Sequence, residues 1–428
     1  MQQRIPESFF HFIWKYQLLS QGLFTTEKEP LTILSPGSHN HDAGPDFLLA
    51  RIRIGSTIWV GNIEIHVKAS DWYRHGHHQD PAYNNVVLHV VEDDNMPCSN
   101  EAGRRLPVLS IAGKFNERLL DRYREISNNL HWVPCMHLLD EVKDIHKLAT
   151  IHAHAVGRLK KKAGEVDLEL RLSAMDWDEC CYRLIAKQFG SRVNVNNFEM
   201  LARSVPARVL MKYHNDLFRL ESILFGQSGL IGSHLREKYP RELRKEHSFL
   251  AALHRLSPMP GYLWNFLRLR PASFPTIRIA HLARLYATHQ RLFQSIIECR
   301  RVRELESIFS ICASNYWNDH YLFGKKSKPQ SKCFGKQGIH LLLINSIIPM
   351  IYHYGDIMHR QDLCDRAVSF LEQLPAEDNA VIRRWKALGS DPGNSLETQG
   401  LLELKKSACD IKACLNCSIG LQILKNGP

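Results

Sequence analysis

Residues 44–68 read GPDFLLARIRIGSTIWVGNIEIHVK, and this stretch decides how the rest of the chain is read. From Ile58 to Lys68 apolar and polar residues alternate. Successive side chains of a strand point to opposite faces, so Ile63, Ile65 and Val67 share one face and Glu64, His66 and Lys68 the other. The run Phe47 to Ile54 can pair with it through the turn Gly55-Ser56-Thr57, which brings Asp46 and Glu64 to nearby ends of adjacent strands. A polar strand face can simply meet water, as in half-buried antiparallel sheets. Two carboxylates with a third donor two residues beyond also suit a hard divalent cation. Mg²⁺ or Mn²⁺ held by Asp46 and Glu64 would keep several waters and leave room for a phosphate. The residue at position 66 would then orient or activate the attacking water.

Pro45-Asp46 and Glu64-Ile65-His66, with a helix before them and a strand after, resemble the PD-(D/E)XK nuclease superfamily over roughly residues 7 to 112. The resemblance implies a restriction-endonuclease-like mixed α/β sheet domain, Asp46 and Glu64 as metal ligands, and hydrolysis of phosphodiester bonds. The superfamily's signature closes on a lysine. Here His66 stands in that place, and Lys68 lies two residues further along the same face. His66 could substitute, Lys68 could take the role, or the site could be a degenerate one on a nucleic-acid- or protein-binding module. Over its whole length the chain also resembles a bacterial domain-of-unknown-function family common in Bacteroidetes. Ala43-Gly44-Pro45-Asp46-Phe47, Asn62-Ile63-Glu64-Ile65-His66, Phe225-Gly226-Gln227, Arg268-Leu269-Arg270-Pro271 and Cys414-Leu415-Asn416-Cys417 carry that likeness.

The surroundings of Glu64 are rich in ligating side chains. Asp71, His75, His77, His78 and Asp80 follow it closely, and His41 precedes Gly44. These six are the candidates to line a cleft. Imidazole and carboxylate are also usual zinc ligands, so a different metal-dependent hydrolase built on the histidines is a further reading, although the spacing matches no zinc signature. His89 interrupts the apolar run Val86 to Val91 and reads as a hydrogen-bonded core histidine.

The 428 residues allow two or three domains of ~150 residues each. No run approaches the ~18 consecutive apolar residues of a membrane span, and the first residues lack the apolar core of a signal peptide. Eleven cysteines in so long a chain point to reduced thiols or metal ligands rather than a disulfide framework, and a cytoplasmic location is expected. Of the net charge of +11, residues 1–125 contribute none of the surplus. They hold 13 Lys/Arg against 15 Asp/Glu, and the remainder 42 against 29. A basic region that binds nucleic acid beside a site that cuts it fits this distribution; general solubility fits it as well.

The expected fold is therefore α+β. An α/β domain over 1–125 (helix, three strands, a short connection, two strands) is followed by a helical region over 126–428. Helices are expected at 143–163, 175–189, 206–225, 240–255, 276–300, 338–354, 360–373, 376–388 and 395–408. Arg268, Arg270, Arg278 and Arg284 stand near Trp264, Phe266 and Phe274 and are candidates to clamp phosphates and stack bases; a buried ion-pair network would explain them equally. Arg158, Lys160, Lys161 and Lys162 read as a solvated basic run. Cys409, Cys414 and Cys417 lie within nine residues. With Cys135 as fourth ligand they could hold Zn²⁺ or an iron–sulfur cluster; inert buried thiols are the alternative.

Overall fold

The computed structural model describes residues 5–40 and 42–425. His41, a candidate for the cleft wall, lies outside the described residues. The chain is mixed α/β, with a sheet-bearing N-terminal region followed by many helices. It divides into two units, Met1–Thr150 with Lys405–Pro428, and Ile151–Leu404. The division differs from the split at 125 expected from the sequence. Residues up to 150 and the cysteine-bearing segment beyond 404 belong with the sheet.

In the first unit, helix α1 (Glu7–Lys15) starts directly after Pro6 and buries Phe9, Phe10, Phe12, Ile13 and Trp14. It stops earlier than its apolar pattern suggests, because Gln17 takes a left-handed backbone, φ +51°. The strands are β1 (Leu23–Phe24), β2 (Pro30–Ser35), β3 (Ser38–His39), β4 (Phe47–Ile54), β5 (Thr57–Lys68), β6 (Val86–Asp93) and β7 (Val108–Ser110). They form one sheet in the order β1-β2-β4-β5-β6-β7, with β3 beside β4. β2, β4 and β5 pair antiparallel, whereas β5, β6 and β7 run parallel.

The β4–β5 hairpin turns at Gly55-Ser56, with Gly55 at φ +57°, a backbone that glycine adopts without steric cost. Its register pairs Phe47 with Ile63, which sets Asp46 beside Glu64. From β5 the chain crosses to β6 through the short helix α2 (Asp71–Arg74) and two single 3₁₀ turns, His77–Gln79 and Pro81–Tyr83. Residues Val86 to Val91 are all buried, as befits a parallel strand covered on both faces. Gly61 allows the close approach of β5 to β6, since a Cβ there would meet Val87 Cγ1 at 2.4 Å.

The polar face of β5 does not meet water. Glu64 and His66 are 5% and 1% exposed, and α1 and α2 both pack against the strand. Lys68, the last residue on that face, is exposed. Beyond the sheet, helix α3 (Glu117–Asn128) is capped by the Asn116 side chain.

The second unit is helical where the periodicity expects it, with three breaks. The 206–225 segment is two helices, Ala207–Lys212 and Leu217–Gln227. Tyr213 caps the end of the first, the chain turns at Asn215, φ +69°, and the Asp216 side chain caps the second. The 276–300 segment is Pro275–Thr288 and Leu292–Glu298. The helix through 338–354 contains a π turn, Leu343–Ile347. The cysteine expectation needs one correction: Cys312 and Cys333 form a disulfide, and the other nine cysteines are free thiols. Cys312 and Cys333 face each other across an isolated β-bridge, which brings their sulfurs together across 21 positions of sequence. Among the described residues no helix is long and apolar enough to cross a membrane.

Candidate metal centre

Asp46 and Glu64 are tied to each other through the backbone. The Asp46 N–H donates to Glu64 Oε2 at 3.2 Å, and the Ile65 N–H donates to Asp46 Oδ2 at 2.9 Å. The same Asp46 oxygen lies 3.3 Å from His11 Nε2. Glu64 Oε1 turns the other way, to histidines. It lies 3.4 Å from His66 Nε2 and 3.1 Å from His77 Nε2. His75 Nδ1 completes the group 3.1 Å from His66 Nε2. One ligand nitrogen from each of His66, His75 and His77 lies within 4.8 Å of the others.

Two things bring these side chains together. The alternation of β5 puts Glu64 and His66 on one face. The chain then turns back at Gly76, φ +79°, and the turn carries His75 and His77 over that face. The His77 ring stacks on Tyr83 at 3.8 Å and lies 5.3 Å from the His66 ring. Behind them His66 Nδ1 is 2.9 Å from His89 Nε2. The core reading of His89 therefore holds, and the core histidine is also the partner of a site histidine. The group is closed at the back and open at the front. Glu64 and His66 are buried, His77 is half-buried and His75 exposed.

Burial sets the protonation of the group. It pushes His66 down to about 2, helped by the neighbouring His89, His77 and His75, and His89 down to about 3. His75 and His77 are lowered for the same reason. All four imidazoles are thus neutral near pH 7 and keep lone pairs. Burial and the nearby Asp46 charge push the Glu64 carboxyl up to about 9. The contacts of Glu64 with His66 and His77 are then not ion pairs. One carboxyl proton can serve only one of two lone pairs, and a cation at the shared point would satisfy all of them. The donor set fits a metal ion in its chemistry: three imidazoles and a carboxylate suit zinc or manganese, whereas magnesium prefers oxygen alone.

The remaining candidates are placed elsewhere. Asp71 is buried and pairs with Arg74 at 3.0 Å, and it also accepts the Lys68 N–H. Lys68, Asp71 and Arg74 line a separate surface hollow with Glu92 and Asp93. Arg74 does reach the site's rim, 3.3 Å from His75 Nε2. Asp80 accepts from the Ala82 N–H and caps a 3₁₀ turn, and the His78 ring packs 4.9 Å from that of Tyr73. Neither joins the histidine group.

His11 is the residue that sequence reading missed. Its signal was the i, i+4 spacing with Glu7, a polar stripe on a helix otherwise filled with phenylalanine. Burial lowers the His11 pKa, but the Asp46 bond and charge outweigh it and the net shift is upward. Burial raises that of Glu7.

The four arginine candidates form no common cluster of contacts. Arg268 and Arg270 are exposed. Arg278 lies over the Phe334 ring at 4.6 Å, and Arg284 donates to Cys312 O at 3.1 Å. The basic run at 158–162 is solvated only in part: Lys160 and Lys161 are exposed, Arg158 and Lys162 half-buried. Arg158 and Lys161 pair with Glu403, and Lys162 donates to Ile344 O, Asn345 and Gln399. Cys135, Cys409, Cys414 and Cys417 do fall in the same unit, all but Cys409 buried.

The chain belongs to the family described as "Protein of unknown function (DUF2851)", whose model matches residues 7–380. The match takes in Asp46, Glu64 and the site histidines; the C-terminal cysteines lie beyond it. No curated protein and no solved structure matches the chain.

Proposed function

We propose that the chain is a metal-dependent hydrolase of nucleic-acid phosphodiester bonds, with Glu64, His66, His75 and His77 holding the ion. One observation carries the reading: a nitrogen from each of His66, His75 and His77 lies within 4.8 Å of the others, and Glu64 Oε1 lies beside two of them, 3.1 Å from His77 Nε2 and 3.4 Å from His66 Nε2. The donor set moves the expected ion from Mg²⁺ towards Mn²⁺ or Zn²⁺. Catalytic metal sites keep an open position, and the exposed His75 side supplies one. The ion, when bound, would polarise a phosphoryl oxygen and make bound water acidic.

The chain's own residues supply the rest. His89 fixes the ring of His66 from behind, as partners of metal-bound histidines do. His11, held towards its protonated form by Asp46, can give a proton to a leaving oxygen. Exposed Arg74 at the rim can meet a phosphate. The order of helix, three antiparallel strands and parallel strand supports the nuclease resemblance, while the β5–β6 connection, a four-residue helix and two 3₁₀ turns, is shorter than the full helix that the resemblance implies; the excess of Lys/Arg outside residues 1–125 suits a polyanionic substrate. The second reading, a nucleic-acid- or protein-binding module with a structural ion, is favoured by His66 in place of the signature lysine and by the exposed Lys68.

The test is cleavage of single- and double-stranded DNA and RNA with Mn²⁺, Zn²⁺ or Mg²⁺, wild type beside Glu64→Ala and His77→Ala. Cleavage that both substitutions reduce more than 100-fold, in chains that remain folded, is the expected result. Nucleic-acid binding without cleavage under every ion would replace this reading by the second.

A further inference from the structure

Helix α1 does more than carry His11 to Asp46. With α3 and the segment 412–416 it walls a cavity of about 170 Å³, all of whose lining residues belong to the sheet unit. Lys15 and Tyr16 enter the wall from the end of α1, and Lys412 and Asn416 from the C-terminal segment. Arg122 of α3 ties that segment in place, donating to Ile423 O at 3.1 Å in the helix Ser418–Lys425. His11 lines the cavity as well, and its Nε2 lies 3.3 Å from Asp46 Oδ2. The cavity therefore adjoins the candidate metal centre through one residue.

The lining is cationic and rich in donors. No carboxylate is part of it. The contacts of its two ammonium groups are neutral: Lys15 Nζ lies 5.6 Å from the centre of the Tyr16 ring, and Lys412 Nζ donates to Ser127 O at 2.8 Å. An ammonium group has three donors, so Lys412 keeps two. Lys425 brings a third positive charge to the same Tyr16 ring, 5.1 Å from its centre. The backbone at Lys412 is a separate observation. It is left-handed, φ +53°, a region that glycine fills without cost and that a residue with a Cβ enters under strain. The Ala413 N–H bonds to Ala408 O at 2.9 Å and the Asn416 N–H to Ala413 O at 3.0 Å, which hold this strained turn as a wall.

The size and charge of the cavity select its occupant. It is smaller than the ~300 Å³ at which pockets for drug-sized ligands begin, so it takes a small group. Uncompensated lysines repel a cation. A phosphomonoester carries nearly two negative charges at pH 7 and three acceptor oxygens, whereas each phosphate inside a nucleic-acid strand carries one charge. We propose that this cavity binds a phosphomonoester dianion, held by Lys15 and Lys412, with the Asn416 amide as a further donor in the wall. Two sources present that group: a free phosphate ester and the phosphorylated end of a nucleic-acid strand. The inference does not depend on the hydrolase reading.

The experiment uses the full chain with His75→Ala/His77→Ala, in the presence of a chelator, so that no ion in the histidine group can bind the probe. Calorimetry with inorganic phosphate and with a nucleoside 5′-monophosphate should show one site, weakened at least tenfold in Lys15→Gln/Lys412→Gln, since each substitution removes a charge-assisted hydrogen bond. Competition by a short oligonucleotide with and without a 5′-phosphate separates the sources. Displacement by the phosphorylated strand alone assigns the strand end; displacement by the mononucleotide but by neither strand assigns the free ester. A second measurement needs no lysine substitution: phosphate should protect Lys15 and Lys412 from an amine-acylating reagent, read by peptide mass. Absence of binding, an affinity that the double substitution leaves unchanged, equal competition by both strands, or acylation of the two lysines unaffected by phosphate overturns the proposal.

Discussion

His66 Nδ1 and His89 Nε2 lie 2.9 Å apart inside the sheet, and neither residue is more than 1% exposed. With Nδ1 engaged, the other nitrogen of His66 is turned to Glu64 and His75. His89 is thus a positioning residue. Replacing it by leucine keeps the core filled but removes the partner. His89→Leu should weaken Mn²⁺ or Zn²⁺ binding by roughly 10–100-fold, measured by titration calorimetry, while His89→Gln recovers part of the loss. Equal affinity in wild type and His89→Leu would mean that His66 needs no support or is not a ligand.

The four arginines separate into two pairs. Arg268 and Arg270 are free to meet solvent, whereas Arg278 and Arg284 are committed to Phe334 and to Cys312 O. Arg268→Gln with Arg270→Gln should lower nucleic-acid affinity and flatten its salt dependence, by about 0.9 in the log–log slope for each phosphate no longer neutralised, with the melting temperature unchanged. Arg278→Met should do the opposite, lowering the melting temperature and leaving the slope alone. A double variant with unaltered salt dependence would remove these arginines from the binding surface.

Glu221 provides a pH signature in the helical unit. It is 1% exposed, and Tyr239 and Ser314 donate to its carboxylate. Burial is the largest influence and pushes it up to about 7. The unfolded chain releases this proton near the ordinary carboxylate value of 4.5; the folded chain keeps it until about 7. Between those values the folded state binds more protons, so stability falls as pH rises through the window and levels off above it. Glu221→Gln removes that slope. The difference in unfolding free energy between wild type and variant should shrink by about 3 kcal/mol between pH 4.5 and 7.5, read from urea unfolding curves. A constant difference would show that Glu221 titrates normally.

The hairpin and the pairing of Asp46 with Glu64 were legible because strand alternation is short-ranged and Gly55 marks the turn. The long helices were legible for the same reason: their apolar period is local. What local pattern could not reveal is which polar groups another segment would cover. His75 and His77 join His66 only because the chain reverses at Gly76. Lys162 reads as a surface cation, yet it is satisfied by the Ile344 carbonyl, which lies within a π turn. Lys332 likewise looks like loop charge, but it is 5% exposed and donates to Asn318 O and Gln330 O. The division into units departs from the split at 125 where contacts are longest in sequence, between the sheet and the segment beyond Leu404.

That long reach has a bearing on how the protein is made. Residues up to 150 leave the ribosome before the helical unit, but the segment from Lys405, which shares their unit, follows some two hundred and fifty residues later. Translation proceeds from one end, and domains generally fold as units as they emerge. The helical unit Ile151–Leu404 is continuous and can mature during synthesis, whereas the sheet unit must wait for a part delivered after it. A nascent chain arrested before Lys405 would carry α3 without the helix that Arg122 anchors. The sheet unit, begun before the helical unit, is thereby completed after it.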